Sequence, residues 1–155
     1  ELAKELLQES GGERTAKILL PMDVVVAPAI TPGVSSQLVP IDGIPSDSLI
    51  VDIGPNTIEL FSNEIRRCHT VMWNGPVGVC EVPPFDHGTR SLVSVLSTLS
   101  NATTIVGSGS SAEAIQEMGL GDKVTHVSTG GGASLRFLEG TPLPGVEVLL
   151  DHEER

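Results

Sequence analysis

Three glycine-bearing segments hold the residues best suited to chemistry. The first is Gly107-Ser108-Gly109-Ser110-Ser111-Ala112, which follows an apolar run and opens a helical pattern. Glycines let the backbone approach an anion closely, and a helix N-terminus offers free N–H groups and the positive end of its dipole. The spacing fits the dinucleotide pattern Gly-x-Gly-x-x-Gly/Ala. No Asp or Glu stands at the end of the next strand to hold a ribose, so a tight structural turn is the rival reading. The second segment is Thr129-Gly130-Gly131-Gly132-Ala133-Ser134. Three glycines in a row cost chain entropy, and they build either a flexible turn or an anion nest of backbone N–H groups. The third is Trp73-Asn74-Gly75-Pro76-Val77-Gly78-Val79-Cys80-Glu81. A strand running into Asn-Gly-Pro makes a rigid turn. It presents the Asn74 amide at the strand end and the Glu81 carboxylate for ribose hydroxyls. Its plain alternative is a loop that needs Gly and Pro.

Other chemistries find no support. His69, His87, His126 and His152 are scattered without metal-ligand spacing. His126, inside an apolar strand, reads as a core residue. There is no nucleophile elbow and no Gly-Lys-Ser/Thr phosphate loop.

The elements that must position these segments alternate. A helix is expected over 1–9, with Leu2, Leu6 and Leu7 on one face, ended by Gly11-Gly12. The chain starts inside this pattern without a cap, which predicts residues lost upstream. Residues 18–20 and 24–27 read as a strand pair, or as one strand broken at Pro21. Residues 28–48, with Pro28, Pro32, Pro40 and Pro45, read as loop. Residues 49–53 read as a buried strand. Gly54-Pro55 opens a helix to about Arg67 with Ile58, Phe61 and Ile65 on one face. Strands at 70–73, 103–106 and 124–127 alternate with helices at 85–99, 111–118 and from 133 through Leu138. The acidic tail runs over 143–155. Repeated strand–glycine turn–helix units predict an open, mostly parallel sheet with helices on both faces. Ligands of such sheets sit at the carboxyl ends of the strands, where all the glycine turns fall.

Composition agrees with one layered α/β domain. The 155 residues suffice for a real core, and with 39% hydrophobic but only 3% aromatic residues that core must be aliphatic. A net charge of −11 argues against docking on nucleic acid or anionic membranes. Cys68 and Cys80 form no disulfide framework. No apolar run approaches the ~20 residues of a membrane helix. An intracellular, soluble protein of the cytoplasm or an organelle interior, such as the plastid stroma, is expected.

In order, the segments ILLPMDVVVA, VDIGPNTIELF, VMWNGPVGVCE, FDHGTRSL, TTIVGSGSSAEAI, DKVTHVSTGGGASLRFLEG and LPGVEVL resemble successive blocks of the phosphoglycerate kinase family. The resemblance spans nearly the whole chain and points to the nucleotide-binding lobe, lacking its first part and the whole N-terminal substrate lobe. It implies a Rossmann-like fold and Mg-ADP or Mg-ATP as cofactor. Asn74, Gly75, Pro76, Val79, Glu81, Ser110 and Ser111 would then contact nucleotide. Gly107, Gly109, Gly131 and Gly132 would stabilise the moving phosphoryl group through their backbone, with Gly130 completing the second nest.

Three departures stand out. Ser108 replaces a family Gly, and Ser110 replaces the Asp that serves Mg²⁺, so no protein metal ligand is expected. A hydroxyl is a poor substitute for a carboxylate facing a hard cation. Ile50 stands where the family has a Gly walling the adenine slot. The departures favour a catalytically silent domain used as a structural or accessory subunit. The rivals are an active phosphoglycerate kinase acting between 1,3-bisphosphoglycerate and Mg-ADP, seen as a fragment, and an ADP/ATP-binding regulator. A sheet missing its first strands also predicts an upstream lobe or a partner protein over its open edge.

Overall fold

The computed structural model describes residues 1–10, 17–107, 109–128 and 130–149. The expectations resting on Gly11-Gly12, Ser108, Thr129 and residues 150–155 lie outside the described residues. Helix α1 (Leu2–Glu9) forms as its spacing predicts, yet none of its residues is buried. Leu2, Leu6 and Leu7 remain exposed.

The first three strands build an antiparallel sheet. β1 (Asp23–Ala27) lies between β2 (Gln37–Pro40) and β3 (Leu49–Ile53). The loop 28–36 returns the chain antiparallel from β1 to β2, and residues 41–48 carry it back to the other end of the sheet, so that β3 also runs antiparallel to β1. β1 is the central strand, and its Val24, Val26 and Ala27 are buried. Residues 18–20, read as a strand, are not one. Pro21 lacks a donor, the Ile18 N–H is taken by Ser10 Oγ at 2.7 Å, and the Met22 N–H by Thr57 Oγ1 at 2.9 Å. Residues 28–48, read as loop, contain β2 and a 3-10 turn at Ile41–Gly43. Pro40 ends an edge strand, where a missing N–H is tolerated. β3 is buried only over Val51, Asp52 and Ile53, with Leu49 and Ile50 exposed on the sheet edge.

The later strands form a parallel sheet in the order β4 (Thr70–Trp73), β5 (Thr103–Val106), β6 (His126–Val127). α3 (His87–Ser97) and α4 (Gly109–Glu117) make the crossovers, so the α/β architecture with a parallel sheet flanked by helices is present. β6 is shorter than its apolar pattern predicts because two hydroxyls replace the ladder at its start. The Thr104 N–H donates to Thr125 Oγ1 and the Thr125 N–H to Thr104 Oγ1, both at 3.0 Å. α2 (Pro55–Ile65) starts on Pro55, whose missing N–H is not needed there. α5 (Gly131–Leu138) follows β6, and the tail holds one more turn of helix, α6 (Pro144–Glu147).

The main core joins both sheets. Ile53, Trp73, Leu92, Val93, Leu96, Val106 and Ile115 pack together, with Ile58, Phe61 and Ile65 of α2 against them. A second cluster of Ala27, Val51 and Phe85 takes in Val79 and Val82. Each fully buried aliphatic side chain contributes about 1.5–3 kcal/mol, so α3, with Leu92, Val93 and Leu96, anchors the middle of the domain.

Candidate functional site

The three glycine turns line up along one edge of the parallel sheet because the backbone ladder continues past the strands. The Gly107 N–H donates to the Trp73 carbonyl at 2.7 Å, and the Ser128 N–H to the Val106 carbonyl at 2.7 Å. Each turn therefore begins against the end of the neighbouring strand. Gly107 is buried, and a Cβ there would come 2.5 Å from Met72 Cε and 3.7 Å from Asn74 Oδ1. The absence of a side chain leaves room for Met72, and the Asn74 amide lies at ordinary contact distance from this turn. Gly75, at φ +90°, takes a left-handed conformation that suits glycine. The Cβ positions of Gly75, Gly109 and Gly132 face open space.

Glu81 and Ser110, far apart in sequence, line one cavity of about 50 Å³ with Asp86, Arg90, Glu113 and Glu117. Four carboxylates and one guanidinium give it a negative potential. Arg90 is held by Asp86 and reaches Glu117 at 3.8 Å. The hydrogen bond and charge of Asp86 raise its pKa further. Burial pushes the neighbouring Cys80 thiol up, and Glu81 adds to that, so Cys80 is a poor nucleophile here. The cavity suits hydroxyls or a cation better than a bare phosphate. Among the described residues, no group of three or more His, Cys, Asp or Glu is placed to hold a metal ion.

Other predicted residues are placed differently. Val79 is half-buried against the second core cluster and its N–H donates to the Val51 carbonyl at 2.9 Å. Pro76 is half-buried in the same loop. Ser111 is fully buried on the same face of α4 as Ile115, away from solvent. The triple-glycine turn is bound up internally in part. The Gly130 N–H donates to Ser128 Oγ at 3.3 Å, Ser128 Oγ and Ser134 Oγ are 2.8 Å apart, and Ser134 Oγ donates to the Gly130 carbonyl at 3.1 Å. One N–H of the expected nest is therefore already used, leaving Gly131 and Gly132 at the start of α5. This turn opens on a separate, apolar cavity with Met72, Ile105 and Phe137, not on that of Glu81. Ile50 is 54% exposed on β3 opposite Val26 and lines none of these cavities.

Sequence reasoning missed two buried carboxylates behind the site. Asp23, 4% exposed, accepts from the Asn56 N–H at 3.1 Å, the Thr57 N–H at 2.8 Å and Thr57 Oγ1 at 2.7 Å, closing the N-terminus of α2. Asp52, 2% exposed, accepts from the Ile53 N–H at 2.8 Å and the Gly88 N–H at 2.9 Å, at the start of α3. Burial pushes Asp23 up, but the bonds from Thr57 and Asn56 together outweigh it and hold Asp23 below the usual carboxylate range. For Asp52 burial prevails over its two N–H bonds and the pKa is raised. The signal was legible: an acid inside an apolar strand, Asp23-Val-Val-Val and Val51-Asp52-Ile53, needs a dedicated partner.

The family model described as phosphoglycerate kinase matches residues 1–141. The phosphoglycerate kinase of Pelotomaculum thermopropionicum is 50% identical over 151 residues, covering 97% of this chain and 38% of that protein. That of Chloroflexus aggregans is 49% identical over 154 residues, covering 98% and 38%. The solved phosphoglycerate kinase of Coxiella burnetii superposes with a TM-score of 0.85 at 36% identity over 95% of this chain and 38% of its own. The chain spans less than two fifths of the length of these relatives. No helix among the described residues is long and apolar enough to cross a membrane.

Proposed function

Because the chain belongs to the phosphoglycerate kinase family, we propose that it binds ADP or ATP at the carboxyl edge of β4, β5 and β6. There it would serve phosphoryl transfer from 1,3-bisphosphoglycerate to ADP, and in reverse from ATP to 3-phosphoglycerate, as part of a longer enzyme. The observation that carries this reading is the convergence of Glu81 and Ser110 on one cavity beside the aligned glycine turns. Asn74 would contact phosphate, Glu81 the ribose hydroxyls, and the backbone of Gly107 and Gly109 the moving phosphoryl group. Such a reaction needs positioning and charge stabilisation more than covalent chemistry from the protein. Mg²⁺, when bound with the nucleotide, neutralises charge between its phosphates.

A second reading is favoured by Ser110 itself: a family domain whose transfer is silent and whose use is structural. The missing carboxylate, together with Ser108 in place of a glycine, supports it. Either reading supposes an upstream lobe or a partner protein over the edge of β4, which pairs with no other strand than β5 among the described residues. Titration calorimetry with Mg-ADP and a coupled kinase assay on the longest natural form of the protein separate them. Micromolar binding with turnover supports the kinase. Binding without turnover, with turnover appearing only in Ser110→Asp, supports the silent domain. No binding to either protein removes the nucleotide reading.

A further inference from the structure

The loop that carries Asn74 and Glu81 is gripped at three consecutive positions. The Val77 N–H donates to Thr89 Oγ1 of α3 at 3.2 Å, and Thr89 is fully buried. The Val79 N–H donates to the Val51 carbonyl of β3 at 2.9 Å. Between them Gly78 lies directly on the Asp52 carboxylate. A Cβ at Gly78 would stand 2.7 Å from Asp52 Cγ and would overlap both Asp52 Oδ1 and the Phe85 carbonyl oxygen. The same carboxylate meets Gly88 of α3, where a Cβ would overlap Asp52 Oδ1 and stand 2.5 Å from Ile53 Cγ1. One buried charge is thus wedged between two glycines from different segments.

Asp23 provides the matched case. It is equally buried, also closes a helix N-terminus, and also faces a glycine without room for Cβ, Gly54. Among the described residues neither acid is hydrogen-bonded to residues 74–81, but only Asp52 stands against a glycine of that loop, Gly78. Helix closure therefore accounts for both acids, and contact with the loop is peculiar to Asp52. A buried carboxylate is costly unless it is bonded, and a site works when the groups beneath it lock the geometry above. We infer that Asp52 is a positioning residue that fixes the 74–81 loop against β3 and α3 and so sets where Asn74 and Glu81 stand. Its link to nucleotide binding rests on the proposed function; its link to loop geometry does not.

Asp52→Asn keeps the shape but leaves one oxygen for two N–H donors; Asp23→Asn does the same at α2. Amide hydrogen exchange on the full chain reads the loop without any ligand. In Asp52→Asn the Val77 and Val79 amides should exchange at least tenfold faster, beyond any change in global unfolding. In Asp23→Asn the acceleration should stay at Asn56 and Thr57. Should Asp52→Asn fail to fold, Gly78→Ala pushes on the same contact from the loop side and should give the same exchange pattern. Loop amides that move no more than the global rate, or equally in both Asn variants, overturn the inference. With Mg-ADP as probe, Asp52→Asn should bind at least tenfold more weakly than wild type and Asp23→Asn within twofold. Equal weakening in the two variants also overturns it. A wild type that binds no Mg-ADP removes the nucleotide reading, and the exchange comparison then decides the positioning role alone.

Discussion

Gly54, Gly78 and Gly88 have no room for a methyl group, whereas Gly75, Gly109 and Gly132 have nothing near the place where one would stand. The first set is filled from behind by the carboxylates of Asp23 and Asp52. The second set lies at the edge of the parallel sheet and faces open space. Close packing holds a framework rigid, and an uncrowded glycine lets another molecule approach its backbone closely. Glycine thus serves two opposite ends in this fold. The antiparallel sheet and its acids fix the geometry, and the parallel sheet presents it.

The sharpest way to break this contrast is to add one methyl group to each set. Gly78→Ala and Gly88→Ala should each cost about 3 kcal/mol, because the new carbon overlaps a bonded carboxylate and, at Gly78, a backbone oxygen as well. Urea unfolding midpoints measure this, and a loss below 1 kcal/mol would mean the framework is looser than it stands here. Gly75→Ala should lose about 1–2 kcal/mol from its φ of +90° alone, since no atom lies in the way. Gly109→Ala and Gly132→Ala should stay within about 0.5 kcal/mol of wild type, because both lie in the first turns of helices and touch nothing. If these turns bind phosphate, the same two variants should weaken Mg-ADP binding while stability holds.

Acid titration sharpens the comparison between the two carboxylates, since their signs differ. Asp23 is held below its ordinary pKa, so its contribution is present above the ordinary carboxylate range and is lost as pH falls through its lowered value. Asp52 is raised, so its folded form takes up a proton more readily than the unfolded chain. Its contribution is greatest below the ordinary value and fades as pH rises through the raised one. The stability gap between wild type and Asp23→Asn should therefore narrow on acidification, and the gap to Asp52→Asn should widen. Midpoints of urea unfolding taken from neutral to acidic pH read both gaps, and parallel curves would contradict the assignment.

Periodicity and punctuation were enough for most elements. Helices α2 to α5 and strands β4 and β5 stand close to where apolar spacing and the Gly-Pro signals put them, because those patterns are local. β2 was hidden in a proline-rich stretch, since an edge strand tolerates prolines that a central strand would not. β6 was overestimated, because Val124 and Thr125 look strand-like until the hydroxyl of Thr104 takes the Thr125 N–H. The glycine turns themselves were legible, as was the pairing of Asn74 and Glu81 on one loop.

The amino-acid sequence by itself determined the family, the alternation of strand and helix, the aliphatic core and the turns that carry the candidate site. The tertiary structure alone decided which turns share a cavity, bringing Glu81 to Ser110 while setting Gly132 beside a different one. It alone separated filled glycines from open ones and gave Asp52 its place under Gly78. The reason is physical. Propensity and hydrophobic period act between near neighbours along the chain, whereas burial of a charge and space for a methyl group depend on atoms brought together from distant segments.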